Sequence, residues 1–297
     1  SATMLVGLAD AYTYVDENDD IRAAILTGAG GTFSSGMDLV SMNAQRNLSS
    51  SQSSLATSMQ RLSSGMRINS AKDDSAGLAI AERMGAQVRG MNVAIRNAND
   101  AISMSQKAEG ALGKVGDMLQ RMRELAVQSA NATNGTSDRA NLDAEYQELG
   151  AEIGRTLTTT KFNGQAIVGG DAGAKVFQVG ANAGETITVT TTNMATNGDI
   201  TAATGGALTD AATSTAALTA IDTALDTVNG ERALYGATQN RFESVIGVLQ
   251  VSAENQAAAK SRITDADFAA ETANLSRAQI LQQAGSAMVA QANQLPQ

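Results

Sequence analysis

A chain of 297 residues suffices for one large domain or two to three small ones, yet aromatics are only 3% and Trp, His and Cys are absent, so its core is built from helix-face aliphatics. Without His or Cys there is no His acid/base catalysis, no Cys nucleophile, no His or Cys zinc site and no disulfide. The formal charge of −9 argues against nucleic acid or an anionic membrane as partner.

Residues 21 to 39, IRAAILTGAGGTFSSGMDL, read as a buried strand entering a glycine-rich turn. The first 20 residues lack the basic start and apolar middle of a secretory signal, and no run of about 20 apolar residues offers a membrane span. If the protein leaves the cell, it does so by a route that cleaves no such signal. From Met91, the apolar positions Ile95, Ala98 and Ile102, then Leu112, Val115, Leu119, Met122 and Ala126, recur at steps of three and four. That is the seam of a long amphipathic helix or coiled coil.

Ser137 or Asp138 is the expected N-cap of a second helix through Leu142, Tyr146, Leu149, Ile153 and Leu157, ended by a turn at Asn163-Gly164. Between Val168 and Thr192 short alternating runs broken by Gly and Asn predict β-hairpins. Residues 193 to 215, nearly all Ala, Thr, Gly, Asn and Asp, have too little apolar bulk for a core of their own and predict a surface loop or small β excursion. Helical periodicity returns with Leu218, Ile221, Leu225 and Val228, then Phe242, Val245 and Leu249, and again with Phe268, Leu275, Ile280, Leu281, Met288 and Val289.

A narrow seam on the outgoing helices is buried only against the returning ones or against another molecule. The expected fold is therefore mainly α: a long antiparallel helical hairpin or coiled coil with a small β-containing outer domain.

Several motifs carry a specific resemblance. RLSSGMRINSAKDD at 61–74 is followed by AGLAIA at 76–81, RNAND at 96–100, EGAL at 109–112, LQRMRELAVQ at 119–128 and KFNG at 161–164. NRF at 240–242, SRITDADFA at 261–269 and AQANQ at 290–294 complete the set. Residues 41–168 and 216–297 resemble bacterial flagellin.

The resemblance implies a secreted, extracellular structural subunit that self-assembles into the flagellar filament, with no cofactor and no catalytic residue. It implies inner-tube helices at 41–73 and 263–297, halves of a helical core domain at 74–168 and 216–262, and a variable outer domain at 169–215, after an atypical segment at 1–40. It also implies an export chaperone holding the amphipathic stretch from Ala270 to Ala292. The absence of cysteine suits this route, since no disulfide traps the chain before export. The rival reading within the same structures is a hook–filament junction protein. A polysaccharide-binding module would need outward aromatics, and the outer zone has only Phe177.

Two residue sets are candidate sites. Arg61, Arg67, Lys72, Asp73 and Asp74 alternate in charge where the inner-tube helix is expected to meet the next domain, and either fix subunit register by ion pairs or form an ordinary solvated turn. Leu119, Gln120 and Arg121, with Glu152, match positions through which flagellins engage a Toll-like innate receptor; the alternative is burial against the next subunit.

Residues 9–39 do not share this likeness. They resemble part of the crotonase (enoyl-CoA hydratase) family, in which a strand like Ala23 to Gly28 leads to a turn like Phe33 to Leu39, and a backbone N–H near Ser35 would donate to a thioester oxyanion. An oxyanion hole needs a second donor aimed at the same point, and nothing after residue 40 supplies one. The glycines also miss the phosphate-loop spacings. No catalysis is expected from this segment. At the other end the chain stops at Gln294-Leu295-Pro296-Gln297, where flagellins usually continue with a short apolar tail, so weaker sealing of the inner tube is expected.

Overall fold

The computed structural model describes residues 39–293. They divide into two compact units, one ending at Asn69 and resuming at Ala266, the other running from Ser70 to Asp265.

The first unit pairs α1 (Leu39–Ser64) with α6 (Phe268–Asn293). Their direction is antiparallel, because Arg61 meets Glu271 at one end while Leu48 meets Gly285 at the other. Along α1 the covered positions Leu48, Ser51, Leu55, Ser58 and Leu62 step by three and four, and along α6 so do Leu275, Ala278, Gln282, Gly285 and Val289. This is coiled-coil spacing with unusually small or polar knobs. Gly65 ends α1 with φ of 72°, its N–H donating to the Arg61 carbonyl and its own carbonyl accepting from the Ala266 N–H at 2.9 Å.

The second unit is built on two long helices, α2 (Ser75–Ala130) and α5 (Ala211–Thr264). Asp74 caps α2, accepting from the Gly77 N–H at 2.8 Å. Asp210 caps α5 in a reciprocal box, accepting from the Thr213 N–H while Thr213 Oγ1 accepts from the Asp210 N–H. Glu109 with Arg232, Arg123 with Asp222 and Ser129 with Ser214 show that these helices also run antiparallel. Their shared seam buries Ala98, Ala101, Ala108, Leu112, Val115, Leu119 and Met122 against Ala217, Ile221, Ala224, Val228, Tyr235 and Phe242. Small alanines bring the backbones close, and each fully buried large aliphatic contributes about 1.5–3 kcal/mol.

A third helix, α3 (Thr136–Thr159), packs on α2 and buries Tyr146, Gly150, Ile153 and Leu157. Its N-cap is Gly135 rather than Ser137 or Asp138: the cap lies two residues before the first and three before the second, which puts Asp138 in the first turn, where its carboxylate accepts from the Gly135 N–H at 3.1 Å. Asn163 and Gly164 (φ of 46° and 81°) then turn the chain between β1 (Lys161–Phe162) and β2 (Gln165–Ala166). Strands β3 (Ala174–Gln178) and β4 (Thr186–Thr190) pair antiparallel with Phe177 opposite Ile187. The hairpin is pinned from inside, as Phe177 stands edge-on to Phe242 at 5.7 Å and Asn97 Nδ2 donates to the Gln178 carbonyl at 2.9 Å.

The stretch expected to be a surface loop is instead ordered. Residues Met194–Thr196 form a 3₁₀ turn and Gly198–Thr204 form α4. Asn193 and Asn197 cap them, and Met194, Ile200, Ala203 and Leu208 are buried in the core of the second unit. Four apolar side chains cannot make a core alone, but they complete one that α3 and α5 leave open.

Close packing at α4 yields a signed prediction. A Cβ on Gly150 would sit 2.9 Å from the Thr204 carbonyl oxygen, whereas one on Gly154, a turn further on the same helix, meets nothing within 4 Å. Gly150→Ala is expected to destabilise by about 1–3 kcal/mol and Gly154→Ala to stabilise by about 0.5–1 kcal/mol. Urea midpoints of the two variants check this, and equal shifts of one sign would contradict it.

Candidate functional site

Two surfaces have features beyond what folding requires. On the first unit, the α1–α6 pair leaves Met59, Phe268, Ile280, Leu281 and Met288 each more than half exposed. The periodicity of α6 reads as one apolar seam, but the helix has two. Leu275 and Val289 turn toward α1, while Ile280, Leu281 and Met288 are left uncovered.

Of the charged candidates, Arg61 reaches Glu271 at 3.8 Å, and its Nε is buried without a hydrogen-bond partner. Asp73 accepts from the Ser70 N–H at 2.9 Å and from Ser70 Oγ at 3.1 Å, and Asp74 is the α2 cap. Both carboxylates therefore shape the turn of their own chain. Arg67 and Lys72 are exposed. Removing the cap in Asp74→Ala is expected to cost about 1 kcal/mol, readable as a lower urea midpoint, and an unchanged midpoint would show the bond to be dispensable.

On the second unit, the recognition candidates separate. Leu119 is fully buried in the chain's own core, so its side chain offers no surface to a partner, contrary to its expected contact role. The physical reason is the three-four spacing, which turns Leu119 inward with Val115 and Met122 and leaves Gln120 and Arg121 outside. Arg121 bridges two helices, donating to Glu124 on its own helix and to Glu145 on α3, both at 2.9 Å. Those hydrogen bonds, Glu124 first, raise its pKa above the ordinary guanidinium value. Glu152 lies two turns beyond Glu145 and pairs with Arg155 rather than Arg121, and that hydrogen bond holds its carboxyl below the usual range. A shallow groove of about 470 Å³ beside Gln120 is lined by Arg123, Glu124, Val127 and Gln128.

The sequence alone does not single out the pairs at Glu145, Asp222 and Arg155. The three-residue spacing of Glu152 and Arg155 was a usable sign; nothing local joins Arg123 to Asp222. Asp210 and Asp222 are also held below the ordinary carboxylate range, by the Thr213 backbone N–H and by Arg123 respectively. A depressed folded-state pKa gives stability that is complete above the unfolded value and lost as pH falls through the folded one. The second unit is thus expected to hold a flat urea midpoint from pH 7 to 5 and lose stability below the usual carboxylate range; a midpoint that rises on acidification would contradict it.

Comparison with known proteins decides the family. The model of the bacterial flagellin N-terminal helical region matches residues 37–172, and that of the C-terminal helical region matches 218–297. The chain belongs to the bacterial flagellin family. It is 47% identical to a flagellin of Halalkalibacterium halodurans, over 88% of this chain and 96% of that protein. Flagellin A of Vibrio anguillarum is 35% identical, over 86% of this chain and 95% of that protein. In fold it resembles a protein of Vibrio parahaemolyticus described as flagellar hook-associated, with TM-score 0.56, 17% identity, and coverage of 65% and 100% of the two chains.

As a flagellin, the chain is a structural subunit of the flagellar filament, exported and extracellular, and not an enzyme. No described helix is long and apolar enough to cross a membrane. The crotonase-like reading of residues 9–39 falls, apart from Leu39, outside the described residues, and the family match, which begins at residue 37, lends it no support.

Proposed function

We propose that this flagellin polymerises through the α1–α6 pair, which supplies the inner-tube contacts. The observation that carries the reading is the uncovered face of that pair, with Met59, Ile280, Leu281 and Met288 exposed on helices whose own seam is already satisfied by one another. Large apolar side chains left this exposed on a helix pair mark a surface for association. A filament is a heterologous assembly, in which one face of each subunit covers a different face of the next.

The same face gives an export chaperone its handle. A groove-bearing partner captures an amphipathic helix by its apolar side, which for residues 270–292 means Ile280, Leu281 and Met288. For an innate receptor, Gln120 and Arg121 are the accessible members of the expected set, with Glu152 further along α3. Arg121 is held in place by two carboxylates, and a pre-ordered arginine loses little entropy on binding. Residues 1–36 take no part in acyl-CoA chemistry in this reading.

Negative-stain electron microscopy of the purified chain under salting-out conditions, beside a version beginning at Ser41, tests polymerisation. Filaments are expected from both. Their absence from both would sink the reading.

A further inference from the structure

Asparagine followed by glycine occurs four times in the chain, at Asn134-Gly135, Asn163-Gly164, Asn197-Gly198 and Asn229-Gly230. In each pair the glycine, with no Cβ to shield its nitrogen, is a nucleophile beside the side-chain amide that precedes it. The fold treats the four pairs differently. Asn229 and Gly230 lie inside α5, where the backbone N–H is spent on the helix ladder. Asn197 caps α4, its Oδ1 accepting from the Asp199 N–H at 2.9 Å. At Asn134 both reacting groups are engaged: Nδ2 donates to the Gln128 carbonyl, and the Gly135 N–H donates to the Asp138 carboxylate at 3.1 Å. Asn163 and Gly164 are both exposed, at the tip of the short β1–β2 ladder. Among the described residues neither the Asn163 amide nor the Gly164 N–H has a hydrogen-bond partner, and a Cβ on Gly164 would meet nothing within 4 Å.

We infer that Asn163 is a site of spontaneous deamidation and isomerisation, the one of these four that the folded chain leaves free to react. The Gly164 nitrogen attacks Cγ of Asn163; the new N–Cγ bond replaces the Cγ–Nδ2 bond, and the amide nitrogen departs as ammonia, taking the Gly164 proton. Water then opens the cyclic imide. Opening at the Cγ carbonyl leaves aspartate at position 163, whereas opening at the main-chain carbonyl leaves isoaspartate, in which the backbone runs through Cγ and gains a carbon. Aspartate fits the site, because φ at Asn163 is 46°, in the left-handed region that both Asn and Asp visit. Isoaspartate does not fit, since the extra carbon shifts Phe162 against its partner Gln165. The disturbance stays local: beyond β2 the chain is held by other bonds, from the Ala166 N–H to the Asp171 carboxylate at 2.8 Å and from the Met194 N–H to the Val168 carbonyl at 2.9 Å. An exported subunit is beyond intracellular turnover, so the conversion accumulates and marks the age of the chain. None of this depends on the polymerisation proposal.

Peptide mapping by mass spectrometry of the full chain, aged in warm and mildly alkaline buffer, tests this, with methyl transfer by an isoaspartate-specific methyltransferase reporting the isomer. Asn163 is expected to convert at least about tenfold faster than Asn134, Asn197 or Asn229, since residues that must first open locally react only in their open fraction. In urea above the unfolding midpoint the four rates should converge, which would show that the fold rather than the dipeptide sets their order. Conversion of Asn134 or Asn197 in the folded chain as fast as that of Asn163 would overturn the assignment, as would an Asn163 that stays intact while the same pair converts in urea. Asn163→Asp and the aged, isoaspartate-bearing chain are both expected to keep the urea midpoint of the fresh protein. A marked fall in the aged chain would overturn the confinement of the change to this turn, and one in Asn163→Asp would overturn the fit of aspartate there.

Discussion

Phe242→Ala is expected to destabilise the second unit by about 3–5 kcal/mol. Phe242 is completely buried, on the face of α5 that meets α2, and is the partner that Phe177 of β3 meets edge-on. Its loss leaves a cavity that rigid long helices cannot close, and it frees the hairpin from its inner anchor. Urea denaturation followed by circular dichroism should show the lower midpoint. A double-mutant cycle with Phe177→Ala should return a coupling of about 0.5–1.5 kcal/mol for the ring pair. A loss below 1 kcal/mol would mean that the hairpin is held by Ile187 and Val189 alone.

The second large effect concerns assembly rather than stability. In Ile280→Asp with Met288→Asp, two of the most exposed apolar side chains of the molecule become charged. Neither belongs to the α1–α6 seam, so the subunit should fold with its stability changed by less than about 0.5 kcal/mol per site. In a filament, each of these side chains contributes about 1.5–3 kcal/mol by burial. Losing both is expected to raise the critical concentration by at least a hundredfold, at about 1.4 kcal/mol per factor of ten. Sedimentation of polymer at rising subunit concentration measures this. Normal filaments from the double variant would place the polymerisation surface elsewhere.

These outcomes depend on features that are unequally visible in the sequence. The three-four spacing from Met91 to Ala126 implies one continuous helix, and the alternation of Val176 to Val179 and Thr186 to Thr190 implies a hairpin, because side-chain direction follows directly from backbone period. The same period places Leu119 and Arg121 on different faces of α2 without reference to any other segment. The motifs around residues 61–81 and 261–269 were enough to indicate the family.

The long-range pairs were decided by the tertiary structure. Arg121 with Glu145 is a contact between helices, and Arg123 with Asp222 and Glu109 with Arg232 join α2 to α5 across most of the unit. Charge alternation along a helix says which residues seek a partner, but only the rotation and offset of two packed helices say which partner they reach. For the same reason Met194, Ile200 and Leu208 read as too few to fold, yet are buried in a gap that α3 and α5 shape for them. Periodicity belongs to one segment and is legible there; burial depends on what stands opposite, and that is set only when the segments pack.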